Sequence, residues 1–147
     1  MDIYIYDQHT GEDKTYSKDA IADFLHDHLD EFGDKREDIM RAIHYAFAEK
    51  PGQDGYVVVG VEEGEIVGAV IMNETGMSGY IPENILVYIA VDRKMRGKGA
   101  GKQLMNAAIG KAKGNIALHV EPNNPAKFLY EKLGFTNKYL EMRLNRS

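Results

Sequence analysis

Apolar residues recur along this chain at two distinct periods, and the switches between them mark its elements. Residues 3–6, Ile-Tyr-Ile-Tyr, are β-branched and aromatic and predict a short strand. Ser17 stands as the N-cap of a helix over 18–32, whose apolar positions Ile21, Phe24, Leu25, Leu29 and Phe32 share one face. Gly33 stops it. Asp34 and Glu37 have the spacing of a capping box. They open a second helix over 35–50, with Ile39, Met40, Ile43 and Phe47 as its buried stripe and Pro51-Gly52 as its end.

From residue 56 the period shortens. Runs 56–61 and 65–72 are rich in β-branched residues, and Glu62-Glu63-Gly64 between them is a hairpin signal. A loop holding Gly76, Gly79 and Pro82 leads to 85–91, Ile-Leu-Val-Tyr-Ile-Ala-Val, an apolar run expected of a strand buried on both faces. A glycine-rich stretch follows, then a helix carrying Leu104, Met105, Ala108 and Ala112, closed by Gly114. Residues 116–120 read as another strand. Strand, helix and strand imply a right-handed crossover and a parallel pair. Asn124-Pro125 caps a helix with Phe128, Leu129 and Leu133 that stops at Gly134, and a final strand is expected over 139–144. The order β-α-α-β-β-β-α-β-α-β predicts an α/β chain with a central, mixed (α+β) sheet flanked by helices.

At 147 residues the chain has the usual size of one domain, and no linker or repeat divides 1–147. It contains no cysteine, which excludes a disulfide framework, a thiolate zinc site and a cysteine nucleophile. His26 and His28 lie two apart on a helix and do not face each other, so no metal is expected. The opening Met1-Asp2-Ile3-Tyr4 lacks the basic region and apolar run of a secretion signal. No apolar stretch approaches the ~20 residues that a bilayer requires. The expectation is a soluble, cytoplasmic protein with no membrane partner. A net charge of −5 argues against nucleic acid as a partner, since phosphate neutralisation needs a basic footprint.

The cations are nevertheless crowded. Arg93, Lys94, Arg96, Lys98 and Lys102 surround the run Arg96-Gly97-Lys98-Gly99-Ala100-Gly101, between a buried strand and a helix. Glycines let the backbone turn tightly and approach a ligand. The first amides of a helix have no internal partner and carry the positive end of its dipole, which makes an anion site. A pyrophosphate suits it. A Walker A loop would need glycine at 96 and Ser or Thr at 103, where this chain has Arg96 and Gln103. A Rossmann fingerprint fails as well, because Lys102 or Leu104 stands where a small residue is required.

With that loop and a second motif, Asn123-Asn124-Pro125-Ala126-Lys127-Phe128-Leu129-Tyr130-Glu131-Lys132-Leu133-Gly134-Phe135, the sequence resembles the Gcn5-related N-acetyltransferase (GNAT) superfamily over about residues 84–135. The resemblance implies an acyl-CoA N-acyltransferase fold in which two parallel strands, here 85–91 and 116–120, splay apart, with about four helices around the sheet. It implies acetyl-CoA as acyl donor, without a metal, and direct acetyl transfer to an unidentified amine, on a small molecule or a peptide. The backbone of Ile89, Ala90 and Val91 is then expected to pair with the pantetheine amides. The amides of Arg96, Gly97, Lys98, Gly99, Ala100 and Gly101, with Lys102, are expected to hold the pyrophosphate. Asn123 has the family's spacing to the tyrosine for a cofactor contact. Asn124 is the better helix cap, the two are free to exchange jobs, and Lys127 lies beside them.

Tyr130 matches the tyrosine that protonates the leaving thiolate; a phenol of pKa ~10 is still protonated at neutral pH. The acceptor amine, of pKa ~10.4, is only ~0.1% neutral at pH 7, a deficit of ~4–5 kcal/mol that a base or desolvation must offset. Glu83 stands near where some family members place a general base, acting through water. Tyr88 and His119 are candidates to line the gap. After Phe135 there is little room for the two C-terminal strands many relatives use to wall the acceptor site or the dimer contact, so the helices over 18–32 and 35–50 are expected to form the other wall; a homodimer is a candidate assembly. The alternative function is a regulatory module that binds coenzyme A without catalysis.

Overall fold

The computed structural model describes residues 1–146. Its sheet has the order β1 (Asp2–Tyr6), β2 (Gly55–Glu62), β3 (Glu65–Glu74), β4 (Asn84–Val91), β5 (Ile116–Leu118). The first three pairings are antiparallel, and β4 pairs with β5 in parallel, as the crossover predicts. Helices α1 (Lys18–His28) and α2 (Arg36–Ala46) cover one face; α3 (Ala100–Lys111) and α4 (Ala126–Lys132) cover the other. Among the described residues no helix is long and apolar enough to cross a membrane.

Strand β2 lies between two cores and is apolar on both sides. Val57, Val59 and Val61 pack under α1 and α2, while Tyr56 and Val58 pack under α3. Its hairpin to β3 turns through Glu63 (φ 50°) and Gly64 (φ 81°), two left-handed residues that match the twist of the paired strands. Gly60 and Gly68 are cross-strand partners. β-Carbons there would stand 3.1 and 2.3 Å from the two methyls of Leu104. This glycine floor lets the fully buried Leu104 seat α3 close to the sheet. The Tyr56 hydroxyl adds a buried hydrogen bond to the Ala108 carbonyl.

Ser17 caps α1 as expected, accepting from the Ala20 amide at 3.2 Å. Other expectations are corrected. The helix predicted over 18–32 breaks after His28. Asp30 turns left-handed (φ 53°), its carboxylate pairs with Arg93 at 3.2 Å, and Asp30–Phe32 forms a 3-10 turn. The capping box at Asp34 does not form, because that carboxylate accepts a hydrogen bond from Tyr88 instead. The second helix ends at Ala46, before a left-handed Ala48. The strand predicted over 116–120 keeps only three residues. On α4 the buried residue is Tyr130, whereas Phe128 is exposed. Residues 139–144 form no strand, and Tyr139, Leu140, Met142 and Leu144 are 78–90% exposed.

Candidate active site

The parallel ladder between β4 and β5 is short. It pairs Asn84 with Ile116, Ile85 with Ala117 and Leu86 with Leu118, and ends there, while β4 continues to Val91. At the same point β4 carries a bulge: Ile71 pairs with Tyr88 and Met72 with Leu86, leaving Val87 as the extra residue. A bulge bends and twists its strand. Val87 and Tyr88 consequently both turn toward the core under α1 and α2, while Ile89 and Val91 face α3 and α4. The strand beyond the bulge leaves its parallel neighbour, and a gap opens.

The phase of β4 decides which backbone groups the gap receives. The Asp92 amide donates to the Val67 carbonyl at 2.8 Å, and the register pairs Ala90 with Ala69. Antiparallel strands alternate bonded and non-bonded pairs, so Ala90 directs its N–H and C=O to β3. Ile89 and Val91 direct theirs to the open side. Of the three residues expected to meet a pantetheine arm, two have free backbone groups and one is engaged.

The glycine loop leads from the end of β4 into α3. Asp92 starts a 3-10 turn over Arg93–Met95 by accepting from the Lys94 amide at 3.0 Å. Gly97 and Gly99 both have φ 77°, and a β-carbon on either would meet nothing within 4 Å, so the demand for glycine is conformational there. The Arg96 and Lys98 amides are used within the turn, donating to the Arg93 and Met95 carbonyls. Among the described residues the amides of Gly97, Gly99, Ala100, Gly101 and Lys102 donate to no protein group, since the first helical bond runs from Gln103 to the Gly99 carbonyl. The side chains of Arg96, Lys98 and Lys102 are exposed around them. Free backbone dipoles ringed by full charges have the chemistry that suits an anion.

Helix α4 closes the arrangement. A β-carbon at Gly101 would stand 3.2 Å from Leu129 Cδ2 and 3.8 Å from Val91 Cγ2, so glycine lets the start of α3, the end of β4 and α4 meet. Next to Leu129, the Tyr130 ring is buried with Leu86, Met105 and Ala108 and meets Phe135 edge-on at 6.1 Å. Burial alone pushes its phenol up to about 12; no charge or hydrogen bond shares in the shift. The Asn124 carboxamide accepts from the Ala126 amide at 2.9 Å, so Asn124 is the residue that caps α4. Asn123 is exposed and Lys127 half-buried at the same helix start.

The structure does not bring Glu83 to this place. It precedes the first paired rung of β4 and β5, at the closed end of the ladder. Ile89 lies six residues further on, ~20 Å along a strand. Glu83 Oε1 is buried without a hydrogen-bond partner, and its other carboxylate oxygen fills the space that a β-carbon at Gly114 would need. The residue lines a surface hollow with Asp54, Glu74 and Lys113. Tyr88 lies on the α1 and α2 side, where burial first and the bonded Asp34 carboxylate second raise its phenol. His119 is exposed just past β5, and the His28 ring stacks on Phe24 at 4.3 Å. No cluster that could hold a metal occurs among the described residues. Sequence reasoning places Val87 in a buried strand and Leu129 on the apolar side of its helix, and gives neither a part in the site. The bulge appears only in the pairing register, and Leu129 gains its place by contact with Gly101.

Comparison with known proteins agrees with this fold. A model described as the acetyltransferase (GNAT) family matches residues 20–135. No curated protein sequence gives a significant match. Among solved structures, a ribosomal-protein-alanine N-acetyltransferase from Brucella melitensis biovar Abortus 2308 superposes with a TM-score of 0.66 at 16% identity, covering 100% of this chain and 99% of that one. AAC(6')-Iy, in complex with the bisubstrate analogue CoA-S-monomethyl-acetylneamine, gives 0.69 at 15% identity, with coverage of 99% and 97%. An aminoglycoside acetyltransferase from an uncultured soil metagenomic sample gives 0.65 at 18%, covering 99% and 98%. At these identities the likeness is one of fold.

Proposed function

The chain belongs to the GNAT family of acetyltransferases, and from that premise we propose that it transfers the acetyl group of acetyl-CoA directly to an amine acceptor, a small molecule or a peptide. One observation carries this reading: at Gly101 the start of α3, with its free amides, meets the end of β4 at Val91, beyond the point where the ladder opens, and Leu129 of α4, whose neighbour Tyr130 is buried with Leu86 of the same strand. The residues fit coenzyme A on chemical grounds. A diphosphate needs convergent N–H groups and cations, which Gly97, Gly99, Ala100, Gly101 and Lys102 supply through their amides and Arg96 and Lys98 through their charge. A pantetheine arm needs alternating donors and acceptors, which Ile89 and Val91 present as the edge of a strand does. Asn123 and Lys127 are the further polar groups assigned to the cofactor at the start of α4, with Asn124 kept as its cap.

The donor supplies an activated thioester carbonyl, and the chain manages position and protons. Tyr130, neutral far above physiological pH, donates a hydrogen bond toward the departing sulfur. The acceptor must arrive as a neutral amine, and desolvation in the gap offsets part of the ~4–5 kcal/mol that deprotonation costs at pH 7. Glu83 stands three paired rungs from the opening, so the base role that the resemblance gives it requires a chain of waters rather than direct contact. A Glu83→Gln variant whose acid limb of kcat/KM is unchanged removes it from that role. The acceptor is proposed no more narrowly than an amine, because the relatives' names run from a ribosomal-protein alanine to aminoglycosides. The test is thiol release from acetyl-CoA across a panel of amines and peptides, with product masses. Release above the amine-free control is expected for at least one class; its absence for all of them contradicts the proposal.

A further inference from the structure

The edge of the sheet farthest from the candidate active site carries chemistry that the fold does not use. Strand β1 is the terminal strand on that side, and among the described residues its outer edge pairs with nothing. Three strand spacings, about 14 Å, separate it from β4. Ile3 and Ile5 pack on the α3 side of the sheet, so Asp2, Tyr4 and Tyr6 share the opposite face. Tyr4 meets Tyr6 at 6.4 Å and Tyr16, from the loop before α1, at 6.0 Å, with ring planes 22° and 20° apart. Tyr16 is fixed twice: its amide donates to the Asp13 carboxylate at 2.8 Å and its hydroxyl to the Gly64 carbonyl at 3.2 Å. Tyr4 is nevertheless 42% exposed. Carboxylates surround these rings. Glu12 lies 4.0 Å from Lys18, whereas Asp2, Asp13 and Glu65 enter no ion pair among the described residues. Burial first, then Tyr4 and these three carboxylates, hold the Tyr16 phenol above its usual value, so their field reaches the rings. Lys14 is the exposed cation of the same loop.

We propose that this edge docks an extended, arginine-bearing segment of a partner protein, whose backbone adds along β1 and whose arginine lies over Tyr4 among Asp2, Asp13 and Glu65. An open strand edge offers a row of donors and acceptors to such a segment. Strand addition puts alternate side chains of the newcomer on the Tyr4 face, ~5 Å from their cross-strand neighbours. The face of an aromatic ring attracts a cation. Arginine suits the place better than lysine, because a planar guanidinium stacks on a ring while its N–H fork meets a carboxylate. Charge agrees: a chain of net charge −5 steers a basic partner toward itself. The surface is separate from the cofactor loop, so its occupancy does not require acetyl-CoA.

The experiment is isothermal titration of the full chain, without acetyl-CoA, with a short end-blocked peptide alternating arginine and threonine. Saturable binding that weakens as salt is raised is expected. Tyr4→Ile keeps an apolar, strand-favouring side chain without the ring and should weaken the peptide roughly 3- to 30-fold, whereas Tyr4→Phe should stay within about twofold of wild type. Circular dichroism and urea midpoints check that both variants remain folded. The fully N-methylated peptide keeps the charges but has no backbone donors, and should bind more than about tenfold more weakly. No saturable binding to the wild type, full affinity in folded Tyr4→Ile, an equal loss in both variants, or full affinity of the N-methylated peptide overturns the proposal. A lysine–threonine peptide that binds as tightly overturns the choice of arginine.

Discussion

Replacing Tyr130 with phenylalanine isolates the phenol from the ring that carries it. The ring packs with Leu86, Met105 and Phe135, and phenylalanine keeps those contacts. The hydroxyl makes no hydrogen bond among the described residues, so its loss should change stability by less than ~1 kcal/mol. The catalytic effect follows from acidity. A buried phenol of pKa about 12 is a weaker acid than a thiol of pKa ~8.5. Full proton transfer to the departing thiolate would be uphill by about 5 kcal/mol at 1.36 kcal/mol per unit. Tyr130 therefore acts as a hydrogen-bond donor to developing negative charge, a contribution of ~1.5–3 kcal/mol. Turnover should fall about 10- to 150-fold, with kcat and kcat/KM reduced together and the KM for acetyl-CoA unchanged. The assay is continuous thiol release under saturating donor, with thermal unfolding of both proteins alongside. Unchanged kcat refutes the assignment, and so does a loss of activity matched by a loss of folded protein.

Three further outcomes follow from the geometry. Gly99→Val forces a β-branched residue to φ 77° and should cost at least ~1–2 kcal/mol of stability; calorimetry should also show coenzyme A affinity down more than about tenfold, and full affinity would clear the loop of its role. Gly68→Ala places a β-carbon 2.3 Å from a fully buried Leu104 methyl and should lower stability by ~1–3 kcal/mol in urea, and combined with Leu104→Ala it should cost less than the two single losses added; an unchanged midpoint would contradict the glycine floor. Alkaline pH should destabilise the fold: the folded Tyr130 phenol ionises near 12 and the unfolded one near ~10, so its contribution is intact below pH ~10 and lost as pH rises through 12. Tyr130 alone accounts for on the order of 2–3 kcal/mol, and a urea midpoint that stays flat through that range would show its ring is not buried.

The strong local signals could be read from the sequence. The Ser17 cap, the Glu63-Gly64 turn, the doubly buried run 85–91 and the Gly134 stop all depend on neighbours within a few residues, and each appears in the structure. What could not be read depends on distant partners. The helix that periodicity would continue breaks where Asp30 turns left-handed and pairs with the distant Arg93, and Tyr88 takes the Asp34 carboxylate that spacing assigned to a cap. The glycines at 60 and 68 look like weak points in two strands until their register sets them side by side under Leu104. On α4 the apolar positions 126, 129, 130 and 133 have the better helical spacing, and they bury Tyr130 rather than Phe128. In the candidate site the glycines and cations of the loop are legible in the sequence. Which amides it leaves free is not, because that depends on how the 3-10 turn uses Arg96 and Lys98. Residues 139–144 show the limit most plainly: a strand requires a neighbour, and a period of two does not say where one is.

The account rests on the start of α3 holding a diphosphate while the opened edge of β4 holds the arm attached to it. Chemical denaturation with coenzyme A, compared with pantetheine, which lacks the diphosphate, tests this most directly. At a hundredfold excess over Kd, coenzyme A should add ~2.7 kcal/mol of stability, with pantetheine at the same concentration adding far less. No stabilisation by coenzyme A, or equal stabilisation by both compounds, would contradict it.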